Sequence, residues 1–248
     1  MRALVAVVLV VCAGAALAGD DSACSVASSL VHADFPLPHV ADAIKSKRLT
    51  VAVVGSASSS LAGATGIKAA YPNKLEGVLA SRLTDVTVKV VAYVKPRQTA
   101  AEMEKEFEKV LLEDKPALVV WQTGTVDAIR GIDPEDFRSA LDEGVDAVHA
   151  GGADVVLMNM QYSPRTESMI AANNYVDVMR WVALQREVPL FDRLAVMRQW
   201  NEFGTFDLLA ATKDTDMAER VHACIGQLLA DLIIDSAKIT ATETGAVR

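Results

Sequence analysis

Serine, histidine and carboxylate are the side chains from which nucleophilic acyl chemistry is built, and this chain holds all three where such chemistry needs them. An apolar run, Thr50-Val-Ala-Val-Val-Gly55, leads into Ser56-Ala57-Ser58-Ser59-Ser60, and far downstream stands Glu219-Arg-Val-His222. A hydroxyl at the end of a strand can attack a carbonyl carbon, a histidine can take its proton, and a carboxylate can orient the imidazole. Glu219 and His222 are three residues apart and share a helical face once a helix has begun. Ser58 and Ser56 are the two candidate nucleophiles. The cluster also reads as a polar turn or as a nest of N–H groups for an anion, and His222 as a histidine packed at a helix start.

Those residues need a scaffold. Near-continuous apolar strands are expected at 50–54, 117–122 and 154–160, with further strands at 86–94 and 188–191. Apolar runs without alternation are the mark of strands covered on both faces. Helical periodicity occupies 72–83, 99–113, 166–185 and 217–236, and Asp133-Pro134-Glu135-Asp136 is a helix start with proline at the first position. Five strands alternating with helices predict an α/β, three-layer α/β/α sandwich around a five-stranded parallel sheet. Ligands in such sheets sit at the carboxyl ends of the strands. That rule gathers 55–60, 94–99, 123–127 and 161–165 around one crevice.

The ends of the chain carry other signals. Met1-Arg2, an apolar stretch and Ala16-Leu17-Ala18 read as a secretory leader over 1–18, with an uncleaved membrane anchor as the alternative. An extended lead-in (19–39), an α/β domain (40–236) and a tail (237–248) follow. Export to a periplasmic or extracellular space favours a disulfide between Cys24 and Cys224, the two cysteines beyond the leader; two free thiols are the alternative. The net charge of −8 argues against nucleic acid or an anionic membrane as partner. No segment after the leader is long and apolar enough to span a bilayer. The sequence has no metal-ligand cluster, phosphate loop or dinucleotide fingerprint, so no metal or cofactor is expected.

With these residues in place, the chain from about Thr50 to Ile234 resembles the SGNH (GDSL-like) hydrolases, a flavodoxin-like family of esterases, lipases and deacetylases. Leu118-Val-Val-Trp-Gln-Thr-Gly124-Thr125-Val126-Asp127 matches the family's Gly-x-Asn-Asp segment after the third strand, with Val126 in place of the asparagine. Ala92-Tyr-Val-Lys95-Pro96-Arg97-Gln98-Thr99 matches the segment after the second strand, and Glu219-x-x-His222 stands for the late Asp-x-x-His. Aligned without a gap on Gly55, the Gly-Asp-Ser block places Ala57 at the nucleophile; a one-residue insertion places Ser58 there. The resemblance implies ester cleavage through an acyl-enzyme, with Ser58 or Ser56 attacking and His222 as base, held by Glu219. Backbone N–H groups near the serine and Lys95 would serve the oxyanion, and Arg97, Gly124, Thr125, Asp127 and Gln161 complete the oxyanion and substrate set. Lys95 and Arg97 also suit an anionic group on a substrate. His32, His39 and His149 have no counterpart in the family. A small-molecule or carbohydrate ester would be the substrate. A catalytically inactive binding protein on this fold and an acyltransferase are the alternatives.

Overall fold

The computed structural model describes residues 24–63, 66–167, 172–209 and 215–239. The expected leader (1–18) and nearly all of the expected tail lie outside them. Five strands, β1 (Arg48–Gly55), β2 (Thr87–Val94), β3 (Leu118–Gln122), β4 (Asp154–Met158) and β5 (Leu190–Phe191), form one all-parallel sheet in the order β2-β1-β3-β4-β5. Every residue of β3 and of β4 is buried, which accounts for their unbroken apolar sequences. The strand order reverses beside β1, so the switch point lies where β1 and β3 end together.

Eleven α-helices are seen among the described residues: α1 (Pro38–Lys45), α2 (Gly66–Ala69), α3 (Tyr71–Arg82), α4 (Ala100–Glu104), α5 (Phe107–Asp114), α6 (Thr125–Arg130), α7 (Pro134–Ala150), α8 (Pro164–Glu167), α9 (Ala172–Gln185), α10 (Arg193–Glu202) and α11 (Asp216–Ser236). Helix α11 packs on α3, while α7 packs on α4, α5 and α9. The helix expected over 99–113 is divided into α4 and α5. Thr99 caps α4 through a capping box with Glu102. The lead-in is not wholly extended, since it holds a 3-10 turn at Ser28–Leu30 and enters α1 at Pro38. Among the described residues, no helix is long and apolar enough to cross a membrane.

Three buried polar side chains tie the layers together by one device. The first N–H groups of a helix have no partner within it. Asp154, on β4, accepts the Val40 N–H of α1 at 2.9 Å. Asp127 accepts the Ala100 N–H of α4 at 3.0 Å. His222, on α11, accepts the Tyr71 N–H of α3 through Nδ1 at 2.9 Å. Each is a cap supplied from a distant element, and burial raises the pKa of Asp127 and pushes Asp154 up to about 6. Cys24 is disulfide-bonded to Cys224, closing the N-terminal segment onto α11 across 200 residues.

Candidate functional site

A crevice of about 620 Å³ lies at the carboxyl edge of the sheet. Each strand exit contributes to its wall: Ser56 to Ser58 and Ser60 to Ala62 after β1, Pro96 and Arg97 after β2, Thr125 and Val126 after β3, Gln161 to Ser163 after β4, and Arg193 after β5. The first turns of α11 complete it with Met217, Ala218, Val221 and His222. The switch-point rule therefore placed the crevice correctly from sequence.

The serine cluster is organised by Gln122, the last residue of β3. Its Oε1 accepts the Ser56 N–H at 3.1 Å and the hydroxyls of Ser56, Ser58 and Ser59 at 3.3, 3.1 and 2.9 Å. Ser59 Oγ also lies 2.9 Å from the Tyr71 hydroxyl, in a hydrogen bond that either group can donate. One carbonyl oxygen has two lone pairs, so the three hydroxyls compete for it. Ser56 and Ser59 are buried, whereas Ser58 is half-buried on the crevice wall and is the one able to turn toward a ligand. Replacing Gln122 with leucine strands the buried Ser56 N–H and is expected to cost about 2 kcal/mol, read as a lowered urea midpoint.

His222 does not form the expected triad. With Nδ1 accepting from Tyr71, the ring proton of the neutral imidazole sits on Nε2. A serine proton would have to enter at a nitrogen that already carries one, or at Nδ1, which is occupied. Burial first, then the charges of Arg193 and Lys74, push the His222 pKa down to about 3. The positive end of α3, where Tyr71 sits, works in the same direction. Among the described residues no carboxylate pairs with His222 and neither serine hydroxyl bonds to it. Glu219 shares the helix with His222 but remains half-exposed, and a carboxylate could only hold an Nδ1 that carries a proton. Among the described residues the Nε2–H has no hydrogen-bond partner, and His222 lines the crevice, so it offers the crevice a donor rather than a base.

Several expected oxyanion and substrate groups are also committed elsewhere. Lys95 is ion-paired to Glu106 at 2.7 Å and does not line the crevice. Asp127 faces α4 instead of a ligand. Gly124 lies behind the wall; its φ of +95° makes the left-handed turn into α6, and a Cβ there would meet Met160 at 3.0 Å. The N–H groups of Ser56, Ser59 and Ser60 are bonded to Gln122, to Ser56 O and to Ala57 O, so these three are not available to an oxyanion. Arg97, Thr125 and Gln161 do line the crevice, and the buried Thr125 hydroxyl has no partner among the described residues.

The residue that sequence reasoning missed is Arg193. Its exposure is 0 %, and it opens α10, a helix announced only by the cap residue Asp192. Asn159 fixes that corner by donating to Asp192 at 2.7 Å and accepting the Leu194 N–H at 2.9 Å. The guanidinium donates to Ser58 O at 3.1 Å, reaches Ser58 Oγ at 3.4 Å and Gln161 Oε1 at 3.3 Å, and lies 5.6 Å over the Tyr71 ring.

The model of the non-GDSL lipase-like family matches residues 23–239. The chain belongs to the non-GDSL lipase-like family. The Gly55-Ser56-Ala57 exit from β1, where Gly-Asp-Ser would stand, agrees with that description. Solved structures similar to this family member share its fold. The lipase/acylhydrolase from Enterococcus faecalis is 18% identical, with a TM-score of 0.60 over 75% of this chain and 95% of that one. A catalytic mutant of Axe2, an acetylxylan esterase from Geobacillus stearothermophilus, is 14% identical, with a TM-score of 0.60 over 75% of this chain and 94% of that one. The psychrotrophic esterase EstA from Pseudoalteromonas sp. is 14% identical, with a TM-score of 0.57 over 75% and 96%. No curated protein matches this sequence.

Proposed function

We propose that this chain is an exported hydrolase of acyl esters, with Ser58 as the attacking group and Arg193 as the charge that steadies the oxyanion. The observation that carries the reading is that the Ser58 hydroxyl lines the crevice 3.4 Å from a buried guanidinium. A fixed positive charge in a low-dielectric wall favours both an attacking oxygen that is losing its proton and a developing oxyanion. Family membership and the shared fold of the esterases Axe2 and EstA support the reaction class. The wall of Leu61, Val126, Ile129, Met197, Leu208 and Val221 suits an aliphatic acyl chain. The Cys24–Cys224 bridge supports export to an oxidising compartment.

In this scheme Ser58 Oγ bonds to the acyl carbon and its proton passes to water or hydroxide in the crevice, since His222 cannot take it. The carbonyl oxygen gains the negative charge, facing Arg193 and the His222 Nε2–H. The C–O bond breaks, the alcohol leaves with a proton from water, and a second water cleaves the acyl–Ser58 ester. Doing without a general base forgoes about 10²–10⁴ in rate, so turnover is slow. The rate rises with pH without an inflection belonging to His222.

Hydrolysis of p-nitrophenyl acetate and butyrate by wild type, Ser58→Ala and Ser56→Ala tests this. Ser58→Ala is expected to lower kcat/KM by at least about tenfold, while Ser56→Ala has less effect. Equal rates in wild type and Ser58→Ala would dismiss Ser58 as nucleophile. A second reading, a binding protein on the same fold, is favoured by the occupied Nδ1 of His222 and by the valine at position 126. Saturable ligand binding with no turnover above buffer would establish it.

A further inference from the structure

We propose that the crevice selects a ligand with an anionic head group, carboxylate or phosphate, on an aliphatic chain, and that Arg193 is the residue that reads the charge. The inference rests on the crevice being the ligand site, as in the hydrolase reading, and names its substrate class.

Burying a cation costs several kcal/mol unless a counter-charge or a full set of hydrogen bonds offsets it. Arg193 has no carboxylate partner among the described residues. Its hydrogen-bond acceptors are all neutral, and its Nε has none. Burial pushes its pKa down only to about 10, so the charge is kept at neutral pH. The neighbouring carboxylate is turned away: Asp192 accepts from Arg180 at 2.6 Å, from Asn159 at 2.7 Å and from the Ala195 N–H at 3.0 Å. Arg138, by contrast, is matched with Glu135 and Asp142.

The crevice as a whole repeats the imbalance. In a chain of net charge −8, the described residues of its lining include Arg97 and Arg193 and no aspartate or glutamate. Arg97 stands at the exposed rim and Arg193 beneath the floor, covered by Ser58 and Gln161. An anion meets the Arg193 charge across the Ser58 hydroxyl, or directly when Gln161 yields its bond. The apolar wall continues past these groups over Val126, Ile129, Leu208, Met217 and Val221. A charged head at the arginine end and an aliphatic chain along the wall match both halves.

The test is calorimetric titration of the mature chain at low salt with octanoate, octyl phosphate and octanamide. These share the chain and differ in head-group charge. At least one anion is expected to bind about tenfold or more tighter than the amide, with the preference shrinking as salt rises. The tighter of the two anions identifies the head group. Equal affinity for the amide, or binding by neither anion, overturns the proposal. Arg193→Met keeps the buried volume without the charge and is expected to abolish the preference, whereas Arg97→Ala reduces it less. A folded Arg193→Met protein that still prefers the anion overturns the assignment to Arg193. Should that variant not fold, the wild-type series decides the preference for an anion, and Arg97→Ala decides its reader: loss of the whole preference in that variant overturns the assignment to Arg193. Because binding is read without turnover, loss of the hydrolase reading leaves this result intact.

Discussion

Separating Cys24 from Cys224 is expected to lower the unfolding free energy by about 3–5 kcal/mol. The bridge spans 200 residues of sequence, nearly the whole described chain. Closing a loop of that length removes chain entropy from the unfolded state worth on the order of 5 kcal/mol, and native packing or residual structure trims that figure. In the folded state the bridge also holds a segment with few other ties. Ala27 N–H donates to Gln199 at 3.2 Å and Leu37 N–H to Ser236 O at 3.1 Å, and Cys24 itself is buried against the core. Thermal unfolding of wild type with and without reductant, beside the Cys24→Ser/Cys224→Ser double variant, checks it. A midpoint unchanged by reduction would show that the cross-link does not restrict the unfolded chain in the way loop closure requires.

Acid is expected to destabilise the fold through His222, by about 3 kcal/mol between about pH 7 and pH 4. Its folded pKa is near 3, against an ordinary value of 6.5. The unfolded chain therefore binds a proton in this window that the native state refuses, and stability falls as pH drops. Asp154 runs the opposite way: its carboxyl is raised to about 6, so between 3.8 and 6 the native state holds the extra proton and stability falls as pH rises. The two slopes cancel over much of the range, and the wild-type profile alone hides both. His222→Asn separates them, because an asparagine oxygen can still accept the Tyr71 N–H but does not titrate. Urea unfolding of both proteins at about pH 7 and pH 4 should show the variant gaining about 3 kcal/mol on wild type at the lower pH. A constant difference would mean that His222 is protonated in the folded protein, restoring it as a candidate base.

The retained histidine shows why a family pattern does not fix a role. Spacing placed Glu219 and His222 on one helix, and that placement holds. What makes the histidine a base is the atom opposite Nδ1. In this fold that atom is the N–H of Tyr71, the first residue of α3, and the same imidazole becomes a helix cap. Lys95 and Asp127 follow the same course. Each stands at the expected strand exit, yet Glu106 claims one and the α4 amide the other. Arg193 is the converse case. Nothing in its neighbourhood but an Asp192 cap marks it, and its weight comes from partners 135 and 32 residues away, Ser58 and Gln161.

From sequence alone came the parallel sheet, the edge where its loops converge and the cysteine pair. These follow from local rules: unbroken apolar runs mark covered strands, alternation with helices forces parallel order, and parallel order puts every loop exit on one side. Tertiary structure alone decided which polar groups are left for chemistry. Buried donors and acceptors must find partners, and the partner of each is set by packing between segments far apart in the chain. That competition took His222, Lys95 and Asp127 out of the roles their spacing proposed, and left under the crevice floor a guanidinium with no counter-charge among the described residues.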